Sequence, residues 1–233
     1  MINVICVKHG NKYDSEYVNR LRNMVRRHLS FSHRFVCFTE DSLGIKSDIG
    51  IIDLPEYPDL SGWWYKPYVF SPDYFDAGDI NLYFDLDMVI VNSIDHFVRY
   101  EPRKFVGLRD LGRIFRRNWV KLGSAVMKWP AQSYSQIWTD FKKDYQTITR
   151  KFHGDQDWIW HLCREEISFF PEQWIQSYKW QIRNRKDLEK TKTGLRFSTI
   201  KNPTIPPDTS VLAFHGTPDI TDVKDPVIVN NWK

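Results

Sequence analysis

Cysteine is scarce in this chain: Cys6, Cys37 and Cys163, an odd number, each set inside an apolar segment. That excludes a disulfide framework and reads as buried free thiols in a reducing compartment, so a cytoplasmic location is expected. Long hydrophobic runs are missing too. None approaches the roughly 20 residues that cross a bilayer. The opening MINVICVKHG reads as a buried strand, not as a basic stretch followed by an apolar signal segment. No internal repeat, low-complexity tract or linker breaks the 233 residues, so one domain over 1–233 is expected. Charged residues make up 27% against 42% apolar, which excludes disorder, and 15 Phe, 11 Tyr and 10 Trp supply a core.

The net charge is only +4, but it is unevenly placed. Segment 99–121 holds eight basic and two acidic residues, and segment 181–201 holds seven and two. Two basic segments on an otherwise acidic body fit a polyanionic partner, and equally fit solvated faces.

Strand and helix signals alternate over residues 1–95. NVICV, FVCFT and GIIDLP are compact apolar runs suited to buried strands. Between the first two, Ser15 is placed to cap a helix whose Tyr17, Val18, Leu21, Met24 and Val25 recur at helical spacing. GWWYKPYVFSPDYF carries helix-like intervals that Pro67 and Pro72 cut into short pieces. This order predicts an α/β fold with a mostly parallel, doubly wound central sheet flanked by helices. The half over 96–233 is less regular. Strands are expected at 105–109, 123–129 and 211–216, with amphipathic helices at 132–145 and 155–166.

The stretch NLYFDLDMVIV places Asp85 and Asp87 inside an apolar run. Residues i and i+2 of a strand point to one side, and this pair lies where a buried strand reaches its carboxyl end, the ligand-binding end of open α/β sheets. Two carboxylates converging there repel unless a cation or proton intervenes, and a hard divalent ion answers that need. A solvent-facing pair is the bland alternative, for which the apolar flanks leave little room. A haloacid dehalogenase-type phosphatase is another, but its Asp-x-Asp sits near the chain start and continues with Gly or Thr, whereas Met88 follows here.

Four segments in order resemble a GT-A-fold nucleotide-sugar glycosyltransferase, in particular glycosyltransferase family 8. YFDLDMVIV resembles its Asp-x-Asp strand. LGSAVMKW resembles its Asn-Ser-Gly-Val-Met segment, with Gly123 and Ser124 at the turn. HGDQDW resembles its Gly-Asp-Gln motif, and FHGTPD its terminal His-Gly motif. The resemblance spans roughly residues 3–220. It implies that Asp85, Asp87 and His215 ligate Mn²⁺ or Mg²⁺, the imidazole favouring Mn²⁺. It implies a nucleoside diphosphate sugar donor, a UDP-sugar foremost, with base and ribose near Val7, His9 and Tyr13. Ser124 and Gly216 fall in the matching binding turns, and Asp110 matches a carboxylate that contacts donor-sugar hydroxyls. Gln156 would lie beneath the sugar, with Asp155 and Asp157 on its hydroxyls, and the transfer would retain configuration. Asp155 is also well placed to cap the helix that follows it.

The terminal motif departs from the family: Asp219 and Ile220 stand where Lys-Pro is expected, leaving Lys66 or Lys224 to meet the diphosphate. The acceptor is expected to be a saccharide hydroxyl. The basic segments, with Phe115, Trp119 and Trp180 among their cations, keep other readings open: a DNA glycosyltransferase acting on a hydroxymethylated base of viral DNA, an anionic lipid surface, or a non-catalytic DNA-binding or scaffold protein on the same fold.

Overall fold

A computed structural model describes residues 1–233. Its strands are β1 (Ile2–Lys8), β2 (His33–Thr39), β3 (Gly50–Asp53), β4 (Ile80–Phe84), β5 (Met88–Ile90), β6 (Val106–Arg109), β7 (Leu122–Pro130), β8 (Ser168–Phe169), β9 (Ile175–Ser177), β10 (Leu188–Thr191), β11 (Gly194–Phe197) and β12 (Val211–Ala213). Its α-helices are α1 (Ser15–His28), α2 (Asp95–Arg99), α3 (Gln136–Lys143), α4 (Tyr145–Lys151), α5 (Asp155–Cys163) and α6 (Pro226–Asn231).

The central sheet runs β3-β2-β1-β4-β7-β6-β8. The first four strands are mutually parallel, β7 is antiparallel to both neighbours, and β8 is parallel to β6. The sequence dictates the burial of this sheet on both faces. Along β1, Val4 and Cys6 enter the core beneath α1, while Ile5 enters the core beneath α3 and α5. β4 repeats the alternation, with Leu82 and Phe84 on one side and Tyr83 on the other. A second sheet, β5-β12-β9, packs into the α1-side core, and β10-β11 form a separate hairpin. No helix is long and apolar enough to cross a membrane.

Local details differ from the sequence reading. Asp14, not Ser15, caps α1: its carboxylate accepts from the Glu16 amide at 3.0 Å. The helix expected over 132–145 is the shorter α3, which ends before Asp144, and a further helix, α4, follows from Tyr145. The residues after Gly62 form one 3-10 helix, Gly62–Phe70, with Pro67 inside it. Asp85 and Asp87 lie just past the end of β4, in the turn where the chain leaves the central sheet to become β5.

Candidate active site

That turn is fastened on both sides by backbone hydrogen bonds. The Asp85 amide donates to the Ala125 carbonyl at 2.8 Å, bringing the Gly123–Ser124 segment of β7 alongside. The Phe214 amide donates to the Asp87 carbonyl at 3.0 Å, setting His215 beside the second aspartate. Three stretches distant in sequence thus converge at the carboxyl end of β4.

Lys66 reaches into this convergence from the 3-10 helix. Its ammonium lies 2.9 Å from Asp85 Oδ1, 3.3 Å from Asp155 Oδ2 and 3.0 Å from Ser124 Oγ. Ser124 Oγ in turn donates to Asp155 Oδ2 at 2.5 Å, and Tyr83 donates to Asp85 Oδ1 at 2.7 Å. Lys66 and Asp155 are buried. Burial opposes the Lys66 charge, but Asp155 and Asp85 outweigh it and hold the pKa above the ordinary lysine value. Burial likewise pushes Asp155 up, against the pull of Lys66 and Ser124. The N-cap of α5 is Gly154, so Asp155 does not cap; its carboxylate turns inward to Lys66 and Ser124.

Asp87 receives one side-chain hydrogen bond, from the Tyr13 hydroxyl at 3.0 Å. Burial, and then the charge of Asp85, push it up to about 7. Burial and the same aspartates raise Tyr13, keeping its phenol protonated. His215 Nε2 is 2.8 Å from Ser177 Oγ, and its ring packs 4.1 Å from that of Trp180. Burial, and then the nearby Lys179, lower its pKa to about 4, so the imidazole is neutral and has a lone pair to offer.

Two cavities meet at the aspartates. One, of about 260 Å³, is lined by Val7, His9, Lys12 and Tyr13 from the end of β1 and the loop after it. The other, of about 510 Å³, is lined by Asp110, Ser124, Asp155, Gln156, Trp180 and His215 among others. Trp63, Lys66, Asp85 and Asp87 border both. Two compartments of this size suit a ligand in two parts. A larger cavity, about 720 Å³, lies against β2 and β3, away from the aspartates. Arg22 there is already paired with Asp48, and Arg34 with Asp79, so volume alone does not make it the site.

The structure sorts the sequence-derived residues. Val7, His9 and Tyr13 border the smaller cavity, and Asp110, Ser124, Asp155 and Gln156 the larger. The Gln156 amide makes no hydrogen bond within the protein and is free for a ligand. Asp110 spends Oδ1 on the Gly112 amide and the Trp119 indole, at 2.8 and 2.7 Å. Gly216 takes the left-handed conformation (φ 63°) in the turn after His215, held by Lys179, whose ammonium donates to the carbonyls of His215 and Thr217. Asp157 borders a separate groove and pairs with Lys121 at 3.3 Å. Lys224 lies away from the cleft and donates to the Thr221 carbonyl. Asp85, Asp87 and His215 all border the larger cavity, but no three acidic, histidine or cysteine side chains are drawn into a closed metal cluster.

Residues with no sequence signal complete the walls. Lys12 is exposed, engages no carboxylate within ion-pair distance, and rests over the Tyr13 ring at 4.5 Å. Trp63, 56% exposed, passes so close to Gly154 that a Cβ there would stand 3.3 Å from its indole nitrogen. Only the Gly-Asp-Gln spacing hinted that a glycine was needed at this crossing.

No protein-family model and no curated relative matches the sequence. Solved structures do share its fold. The galactosyltransferase LgtC, solved with donor and acceptor sugar analogues, superposes with a TM-score of 0.65 at 12% identity, covering 98% of this chain and 94% of that one. The glycosyltransferase GlyE of Streptococcus pneumoniae gives 0.57 at 13% identity, over 75% of this chain and 47% of its own. The bifunctional glycosyltransferase WbbM gives 0.54 at 10%, over 76% and 40%. At these identities the likeness is one of fold, and the fold is of GT-A type, as the sequence led us to expect.

Proposed function

We propose that the protein is a nucleotide-sugar glycosyltransferase resembling family 8, transferring a sugar from a UDP-sugar to a saccharide hydroxyl with retention of configuration. The observation that carries this reading is the carboxylate pair at the meeting point of two cavities, on a fold shared with glycosyltransferases. The donor set fits a divalent ion. Asp87 sits beside a like charge with a raised pKa, and the neutral imidazole of His215 faces the same cleft. Asp85, Asp87 and His215 would hold Mn²⁺, or Mg²⁺, which when bound offsets the charge that develops on the departing diphosphate.

The protein's own residues do the rest. Val7, His9 and Tyr13 flank the base and ribose in the smaller cavity. Lys12, its unpaired cation, meets the diphosphate where the terminal Lys-Pro is lacking. Lys66, Ser124, Asp155 and Asp110 surround the sugar, with Gln156 beneath it. The bond from the anomeric carbon to the diphosphate oxygen breaks with its electron pair staying on the nucleoside diphosphate, the acceptor oxygen bonds to the same face of that carbon, and the acceptor's hydroxyl proton passes to the departing diphosphate oxygen. Asp157 is left to its pairing with Lys121.

Calorimetry with UDP tests the reading. Binding is expected with Mn²⁺, is lost with chelator, and is lost in Asp87→Asn. No UDP binding under any condition overturns it. Retention is checked separately by NMR of the product, where the inverted anomer is the contrary result.

A further inference from the structure

The two basic segments meet beside Trp180, which borders the larger cavity. Phe115, from the first, is 50% exposed. Its ring lies 4.8 Å from Trp180, and the Arg185 guanidinium from the second segment sits 4.8 Å over the Phe115 ring. Trp180 in turn packs 4.1 Å from His215 and borders the cleft with it. A continuous path, Arg185–Phe115–Trp180–His215, therefore leads from surface cations to the aspartates' cleft.

Seven of the fifteen cations of these segments are spent on carboxylates, Lys104 on Glu101 among them. Arg109 and Arg113 pair with Glu172, Lys121 with Asp157, Arg183 and Lys201 with Asp187, and Arg196 with Glu189. Arg116, Arg117, Arg185 and Lys186 are exposed and pair with no carboxylate, and all four lie in the two turns that carry or cover Phe115. Lys190 and Lys192 also stand free, on the β10–β11 hairpin of the same segment. Arg185 is stacked on Phe115 and Arg116 on Trp119, and unpaired like charges so close along the chain repel one another, a repulsion that an anionic ligand relieves. Aromatic edges and faces at the same place offer the apolar surface that a pyranose ring presents its C–H groups to.

We propose that the acceptor is an anionic saccharide, bearing phosphate or carboxylate groups, whose charged portion lies on this ridge while its reacting hydroxyl enters the cleft past Trp180. The inference rests on the transferase reading and names its acceptor class. The donor is served by the cavity at the end of β1, whose lining includes neither Phe115, Trp180 nor Arg185. Phe115 is two ring-to-ring steps from His215 and Arg185 one step further, so the ridge engages a neighbouring unit of the acceptor, not the diphosphate. A guanidinium stacked on an aromatic ring beside the cleft matches anionic groups on a short glycan better than the extended backbone of a nucleic acid.

The test measures binding by calorimetry for two matched pairs: maltotetraose against its 6-phosphate ester, and chitotetraose against a hyaluronan tetrasaccharide. Octathymidylate serves as the nucleic-acid arm. The expected result is at least tenfold tighter binding of one or both anionic saccharides than of their neutral partners, weakening as salt rises. The preference falls at least tenfold in Arg117→Ala/Arg185→Ala, a pair outside the catalytic cleft, with UDP–Mn²⁺ binding unchanged. Which pair shows the preference tells phosphate from carboxylate. Equal binding within both pairs, a preference untouched by the double substitution, or octathymidylate binding tighter than every saccharide would overturn the proposal. UDP–Mn²⁺ binding measured on the same samples separates the two ideas. If it persists while the anionic preference is absent, the acceptor class alone is wrong; if it is absent while the preference holds, the ridge stands and the transferase reading falls.

Discussion

Strand β4 is bracketed by carboxylates, Asp79 before its first residue and Asp85 and Asp87 after its last, and the two ends have opposite fates. Asp79 is buried and fully answered: it accepts from the amino terminus at 2.8 Å, Asn3 at 3.2 Å and Arg34 at 3.3 Å. Burial alone would raise its pKa, but those partners, the amino terminus foremost, pull it below the ordinary carboxylate range. Asp87 has the Tyr13 hydroxyl and little else, and its pKa rises to about 7. The same strand thus carries a closed polar cluster at its amino end and an open one at its carboxyl end. Spare acceptor capacity next to a like charge distinguishes a ligand site from a structural cluster, even where composition is alike.

Substitutions sharpen the contrast, the largest effect first. Lys66→Met strips Asp85 and Asp155 of their shared counter-charge and is expected to cost about 3–5 kcal/mol in urea unfolding, because a buried pair is broken from one side. Asp79→Asn is expected to lower stability at pH 7 by about 1–3 kcal/mol, through weakened bonds to buried donors. The sign with pH follows from its depressed pKa. The wild-type advantage is full above the ordinary value of 3.8 and vanishes as pH falls through the lower folded value. Asp87→Asn should act in the opposite direction, raising the metal-free protein's stability on the order of 1 kcal/mol by removing a charge that is buried and repelled by Asp85, while abolishing Mn²⁺-dependent UDP binding. Matching losses of stability in Asp79→Asn and Asp87→Asn would erase the distinction between the two ends. Lys12→Ala is the mildest: UDP affinity falls about tenfold with unchanged urea unfolding, as one charge-assisted contact is lost.

Much of the architecture was legible in local pattern. NVICV and FVCFT are compact apolar runs suited to a strand covered on both faces, and they became β1 and β2. Asp85 and Asp87 stood out because carboxylates among LYF and MVIV need a physical reason. Lys12 and Trp63 did not stand out, since their place at the cleft depends on long-range closures: Asp85 to Ala125, Phe214 to Asp87, and the approach of Trp63 to Gly154. Asp157 shows the converse. Two residues from Asp155 on a helix, it is rotated about 200° away and reaches a different groove, which motif spacing alone does not convey.

The most direct test of the central claim is nucleotide release from a panel of nucleotide sugars, with Mn²⁺ or chelator, for wild type beside Asp87→Asn. Slow hydrolysis of one donor, dependent on Mn²⁺ and lost in the variant, is the expected result and names the sugar. Release that proceeds equally in chelator and in Asp87→Asn would contradict it, because the carboxylate pair would then have no part in the chemistry.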